Sequence, residues 1–213
     1  IGSFYQPSLV ISDINFLKTL PKREIVCGYG EILKHSIIAD KKFFNFLDKN
    51  GSKILDLKSP FIEKSIYLSC NLKKKIVELD EKELNLRKIL NFGHSFAHAY
   101  EATLGYSKKL NHGEAVILGI MSASKFSLLN KFLSINEFKL IENHLNKLKL
   151  LNDINKLFSN NDLKKILFFM KKDKKNINEK ISLILLKKIG SPLYNFQFDE
   201  KKVNLFLKNE LIK

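Results

Sequence analysis

The chain has 213 residues, 45% of them apolar and 17 of them Phe, enough for a sizeable core in one large domain or a domain plus a fragment. Its formal charge of +15 invites a nucleic-acid partner, but of 37 basic residues only Arg23 and Arg87 are arginine, the residue whose bidentate fork reads bases and phosphates. Solvated lysines and no nucleic acid are therefore expected; the absence of an apolar run of roughly 18 residues argues against a membrane span. The first residues lack a secretory signal's basic end and cleavage site, and the isolated Cys27 and Cys70 form neither a disulfide framework nor a thiolate zinc motif, so reduced thiols and a cytoplasmic location are expected.

In chain order, residues 5–12 read as a short strand, and Asp13 then caps a turn or helix over Ile14–Leu20. Pro21 opens a long helical stretch interrupted at Gly28 and Gly30, where close packing or a ligand's approach is expected. A short helix over residues 41–50 ends at Asn50-Gly51, and Pro60 starts another that runs to about Leu79. After the turn DEKELN comes a helix from Arg87 to Glu101, then a loop over residues 104–111. His112-Gly113-Glu114 opens a helix that is apolar nearly all round and so central and buried. Ile135, Phe138, Ile141, Leu145 and Leu148 carry the pattern of a surface helix. Residues 180–190 read as a strand or extended segment, and residues 199–213 as a closing amphipathic helix. The Phe-rich run Phe43-Phe44-Asn45-Phe46 is expected in the core, while Cys27, Cys70, His35 and His144 are given no chemistry. The fold class is mainly α, with a small β remnant at the front.

The polar residues between Arg87 and Glu101 stand out. Arg87, Asn91, His94, His98 and Glu101 are spaced 4, 3, 4 and 3 apart, within an arc of about 80° on one helix face. Most of the remaining surface is apolar, the inverse of an ordinary surface helix. Burying such groups is costly without partners, so a ligand-filled site is expected. Glu31, the His94/His98 pair and His112 compete as metal ligands. From spacing alone His94 and His98 form the standard i, i+4 chelate.

The segments GEILKHSIIAD, DEKELNLRKILNFGHSFAHAYE, LNHGEAVILGI and MKKDKK resemble the C-terminal domain of the 3-dehydroquinate synthase family, a resemblance running from Ile1 to about Gly190. It implies a different ligand set from the spacing: zinc, or cobalt, on Glu31, His94 and His112, with His98 facing a substrate phosphate. It also implies Lys34, Lys73, Glu83, Arg87 and Asn91 as pocket residues and Lys175 as a further phosphate-side cation. Phe16, Leu17, Lys18 and Thr19 match a segment that touches NAD. Residues 1–20 would then be the end of an NAD-binding α/β domain otherwise missing here, and residues 21–213 the helical metal- and substrate-binding domain. Asn85 stands where the family has Gly and His35 where it has Tyr; the turn survives if Asn85 takes a left-handed backbone.

The implied activity is conversion of 3-deoxy-D-arabino-heptulosonate 7-phosphate to 3-dehydroquinate and phosphate, by transient oxidation with NAD, β-elimination, re-reduction and aldol closure. The implied partners are that phosphorylated keto acid and a second copy of the chain in a homodimer. Another sugar-phosphate cyclase or a metal-dependent polyol dehydrogenase is the alternative within the fold. A non-catalytic basic binding fragment is the alternative outside it.

Overall fold

The computed structural model describes Tyr5, residues 7–172 and residues 180–211. Asp13 accepts a hydrogen bond from Asn15 N–H and starts a 3-10 helix over Ile14–Thr19, as expected. The strand expected over residues 5–12 is not formed among the described residues of that segment. A strand needs a ladder partner for its backbone groups, and the two-stranded sheet lies near the other end of the chain.

Pro21 precedes α1 (Lys22–Ala39), which runs unbroken through Gly28 and Gly30. The two glycines divide the roles foreseen for them. A Cβ on Gly30 would stand 2.8 Å from the Gly113 carbonyl oxygen, whereas Gly28 faces open space. Asp40 caps α2 (Lys41–Leu55) by accepting from Phe43 N–H at 2.8 Å. This helix does not stop at Asn50-Gly51. Asn50 returns its amide to the Phe46 carbonyl at 2.9 Å, and Gly51 packs against Leu148 and Tyr29, where a side chain would collide. α3 (Phe61–Leu79) follows Pro60 and ends at Asp80.

The expected continuous helix from Arg87 to Glu101 is two pieces. A 3-10 helix spans Leu86–Asn91, and α4 begins only at His94 and runs to Thr103. Gly93 makes the break with φ +79, a left-handed conformation that costs other residues roughly 1–2 kcal/mol. It also lies so close to α5 that a Cβ would sit 2.7 Å from the Ile120 backbone nitrogen. The stripe is therefore not one helix face. His94 and His98 remain one turn apart on α4, while Arg87 and Asn91 reach the site from a separate element.

α5 (His112–Leu129) is buried on almost every face, as its composition predicts. It packs against α1, α4 and the sheet. Its start is clamped to α1: a Cβ on Gly113 would overlap the Cys27 backbone, so the two helices meet backbone to backbone beside the site. α6 (Ile135–Lys147), capped by Ser134, buries Phe138, Ile141, His144 and Leu145. The short α7 (Ile154–Leu157), a 3-10 turn (Asn160–Asp162) and α8 (Leu163–Lys171) lead to β1 (Ile181–Lys188). β1 pairs antiparallel with β2 (Ser191–Phe198), which periodicity did not reveal. Tyr194 and Asn195 lie opposite the single residue Ile184, and this bulge, with Asn195 at φ +64, disrupts the alternation of the strand. α9 (Glu200–Leu211) closes the fold. Among the described residues no helix is long and apolar enough to cross a membrane. Phe43 and Phe44 are buried in the core.

Candidate metal centre and substrate cleft

Three helices bring Glu31, His94 and His112 together. Glu31 lies mid-way along α1, His94 opens α4 beside the Gly93 turn, and His112 is the first residue of α5. Glu31 Oε1 is 3.5 Å from His94 Nε2 and 3.8 Å from His112 Nε2. The donor atoms of the three residues all lie within 4.8 Å of one another. Glu31 Oε1 is buried and has no hydrogen-bond partner, while Oε2 accepts from the buried Lys34 ammonium at 2.6 Å.

The ring nitrogens have settled roles. His94 Nδ1 faces the Phe92 carbonyl at 3.4 Å, and His112 Nδ1 faces both Glu101 carboxylate oxygens at 3.1 and 3.2 Å. A carbonyl and a carboxylate accept and do not donate, so each Nδ1 carries the hydrogen. In the neutral ring Nε2 then presents a lone pair. Burial, with Lys34 and His98 adding to it, lowers the His94 pKa to about 3, so this imidazole is neutral near pH 7. With both rings neutral, two imidazole lone pairs and a partnerless carboxylate oxygen converge with no hydrogen between them. A divalent cation fits that arrangement, and a carboxylate with two imidazoles is a donor set that suits zinc or cobalt.

Lys34, Lys73, Glu83, Arg87 and Asn91 line the same cleft, of about 280 Å³, as Glu31, His94 and His112. Asp80 organises its far wall. Its carboxylate accepts from the backbone N–H groups of Leu84, Asn85 and Arg87, and the Arg87 N–H leads in holding it below the usual carboxylate range. The left-handed residue of this turn is Glu83, at φ +57; Asn85 has φ −139, so the conformation expected at Asn85 is supplied two residues earlier. Arg87 donates to the Glu81 carbonyl at 2.6 Å. Glu83 accepts from Asn91 Nδ2 at 2.6 Å and so orients an amide.

His98 is on the other side of His112, their ring centroids 6.1 Å apart, at an opening of about 550 Å³ that also includes Ser95, Phe169 and Lys172. Lys175, with Asp173 and Lys174, lies outside the described residues. Phe16, Leu17, Lys18 and Thr19 do not join the cleft. They belong to the 3-10 helix and are exposed except for the half-buried Leu17; Lys18 pairs with Asn15 and Thr19 with the Phe16 carbonyl.

Sequence reasoning passed over the parts that hold His112 in place. Glu114 accepts from Asn111 N–H at 2.8 Å and from Arg23 Nε at 2.7 Å, while Arg23 also donates to the Lys108 and Lys109 carbonyls. Burial pushes Glu114 up, but Arg23 and the Asn111 N–H hold it below the usual carboxylate range. The Asn-x-x-Glu spacing ahead of an apolar run was the available signal. His35 also lines the cleft, whereas His144 lies in the core away from it. His35 Nδ1 pairs with Ser69 Oγ at 2.6 Å, and His144 lies between Asp48 and the Tyr29 hydroxyl.

The 3-dehydroquinate synthase C-terminal family matches residues 28–176, well over half of the chain. A 3-dehydroquinate synthase of Pelagibacter ubique is 70% identical over 213 residues, all of this chain and 58% of the relative. One from Thermodesulfovibrio yellowstonii is 41% identical over 206 residues, 95% of this chain and 56% of the relative. The chain thus spans little more than half the length of the curated relatives it matches. Among solved structures, the 2-epi-5-epi-valiolone synthase ValA of Streptomyces hygroscopicus subsp. jinggangensis 5008, with NAD+ and Zn2+ bound, superposes with TM-score 0.83 at 20% identity, covering 99% of this chain and 57% of that one. A 2-deoxy-scyllo-inosose synthase complexed with carbaglucose-6-phosphate, NAD+ and Co2+ follows at TM-score 0.75 and 23% identity, covering 98% and 58%. At those identities the likeness establishes the helical fold. Sequence and fold together establish that the chain belongs to the 3-dehydroquinate synthase family, through its C-terminal domain.

Proposed function

We propose that the chain is the metal- and substrate-binding part of a 3-dehydroquinate synthase. The reaction is the conversion of 3-deoxy-D-arabino-heptulosonate 7-phosphate to 3-dehydroquinate and phosphate in the shikimate pathway, which leads to chorismate and the aromatic amino acids. The observation that carries this reading is the convergence of Glu31 Oε1, His94 Nε2 and His112 Nε2 beside a cation-lined cleft. Glu31, His94 and His112 hold the ion. A bound zinc or cobalt ion supplies a Lewis acid for a substrate hydroxyl, and bound NAD supplies a reversible hydride acceptor.

The chain's own residues bind and orient. Lys34 supplies the countercharge to Glu31 at Oε2, leaving Oε1 to face His94 and His112. Lys73 and Arg87 take the substrate's carboxylate and hydroxyls, Arg87 being steadied by the Glu81 carbonyl. Glu83 accepts from Asn91 Nδ2 and so fixes that amide at the cleft wall. His98 and Lys175 balance the phosphate as it leaves. Residues 1–20 belong with the NAD-binding domain, and Phe16–Thr19 touch NAD. In support, Leu9, Val10, Ile11 and Phe16 are all more than 70% exposed, apolar side chains suited to packing against a further part of the enzyme. The same reading implies a cytoplasmic homodimer, in keeping with the free thiols of Cys27 and Cys70.

The test is turnover by the intact protein with the heptulosonate phosphate, NAD and zinc. One phosphate released per substrate consumed, with dehydroquinate as product, is expected. Arg87→Met and Lys73→Met should each lower kcat/KM by about 10- to 100-fold, the worth of a charged hydrogen bond. Turnover of a hexose phosphate to an inosose, or reduction of NAD by an unphosphorylated polyol, with no dehydroquinate formed, would overturn the assignment.

A further inference from the structure

Glu101 belongs to the polar series on which the sequence drew attention, yet the proposed reaction gives it no task. Its side chain is only 11% exposed, and both carboxylate oxygens lie on His112 Nδ1. His112 needs such a partner more than His94 does. The His94 side chain is 12% exposed and fixed by its surroundings and the Phe92 carbonyl, whereas the His112 side chain, on the first residue of α5, is 52% exposed. An imidazole that open to water samples several rotamers and both tautomers, and each wrong state keeps Nε2 from the ion.

We infer that Glu101 is a positioning residue for the metal: it fixes the Nδ1–H tautomer and ring plane of His112, so that Nε2 faces Glu31 Oε1 with its lone pair available. This rests on the reading of Glu31, His94 and His112 as the metal ligands. The arrangement is sound on general grounds, because a metal-bound imidazole is tuned and held by whatever accepts its second N–H, and losing that acceptor typically costs about 10- to 100-fold in affinity. The carboxylate is also well founded. Glu101 sits on the buried side of α4, and its carbonyl accepts from Tyr106 N–H at 2.9 Å at the start of the loop that leads to His112. One buried residue thereby steadies both the imidazole and the chain that delivers it.

Glu101, His98 and His112 also offer donors within 4.8 Å of one another, so the test must separate a positioning role from direct ligation. Cobalt is titrated into the intact metal-free protein, reading its visible d–d bands. Glu101→Ala should weaken cobalt binding about 10- to 100-fold, and Glu101→Gln, which keeps an acceptor for Nδ1–H, should recover part of that loss. At saturation the Glu101→Gln bands should match those of the parent, because the donors on the ion are unchanged. Binding by Glu101→Ala within twofold of the parent, or altered bands in saturated Glu101→Gln, would overturn the inference. Nitrogen-15 spectra of the metal-free parent, taken at a pH where the His112 ring is neutral, test it without any variant: an Nδ1–H tautomer is expected, and an Nε2–H tautomer is incompatible with it. His112→Ala separates the two layers. If it binds cobalt as the parent does, the ligand assignment itself fails; if it loses cobalt while Glu101→Ala does not, only the role of Glu101 fails.

Discussion

Alanine at His94 or at His112 is expected to strip the metal from the intact protein, while alanine at His98 leaves it at about one ion per chain. Acceptors behind a metal-bound imidazole cost about 10- to 100-fold when removed, so loss of the donor atom itself should exceed 100-fold and empty the site on dialysis. The three histidines are near neighbours, with ring centroids 5.2 Å apart for His94 and His98 and 5.7 Å apart for His94 and His112. Proximity therefore does not decide which of them binds. Orientation does. His94 and His112 turn Nε2 toward the partnerless Glu31 oxygen, whereas His98 looks into the opening it shares with Lys172. Glu31→Gln should lose the ion with the two ligand histidines, since a neutral amide oxygen is a poorer donor than a carboxylate. Metal content by mass spectrometry after dialysis reads all four variants. Metal lost with His98→Ala and retained with His94→Ala would move the ion to the group formed by His98, Glu101 and His112.

Acid should destabilise the metal-free protein through His35, and the size of that effect is large. Burial first, then the charges of Lys34 and Lys73, lowers the His35 pKa to about 3, against 6.5 for an ordinary imidazole. The unfolded chain therefore takes up this proton first as pH falls. The stability linked to the neutral ring is complete above about pH 6.5 and is lost progressively toward pH 3, at about 1.4 kcal/mol per pH unit. His94, also lowered to about 3, acts in the same direction, so His94 must be kept in both proteins compared. Between about pH 6.5 and 5, where most carboxylates stay ionised, the unfolding free energy of the parent should fall more steeply than that of His35→Phe, by close to that slope. The variant forfeits the bond to Ser69 at every pH, which offsets its curve without tilting it. Denaturant unfolding in a chelating buffer gives both curves. Parallel curves would mean that His35 is charged in the folded protein.

Much of the helical frame was legible because caps and apolar spacing are local. Asp13, Pro21 and Pro60 mark helix starts, Ile135 to Leu148 carry the α6 pattern, and the nearly all-round apolarity of residues 115–129 marks α5 as central. The break at Gly93 was hidden because a 3-10 segment of six residues and an α-helix place polar groups at similar spacings, and the left-handed φ and the contact with Ile120 that require glycine there are set by the folded structure. Asn50-Gly51 misled in the opposite sense. A turn-forming pair stays helical because Leu148 and Tyr29 occupy the space beside it. The second strand was lost to its bulge.

The site divides along the same line. Spacing could offer only ligands on one helix and chose His94 with His98. The donors that converge come from α1, α4 and α5, and no spacing within one segment encodes that. Resemblance to a family pointed to Glu31 and His112, which with His94 form one of two groups of converging donors among the described residues, the other being His98, Glu101 and His112. Spacing placed Glu101 in the polar series without pairing it to His112, and neither route reached Arg23, which holds the loop before His112.

The most direct measurement is X-ray absorption at the metal edge of the intact zinc- or cobalt-loaded protein. The account predicts two imidazole nitrogens with oxygen completing the shell, at about 2.0–2.2 Å, and one imidazole in His112→Ala if any metal can be forced in. Three imidazoles, a sulfur neighbour from Cys27, or a parent-like spectrum in His112→Ala would contradict it.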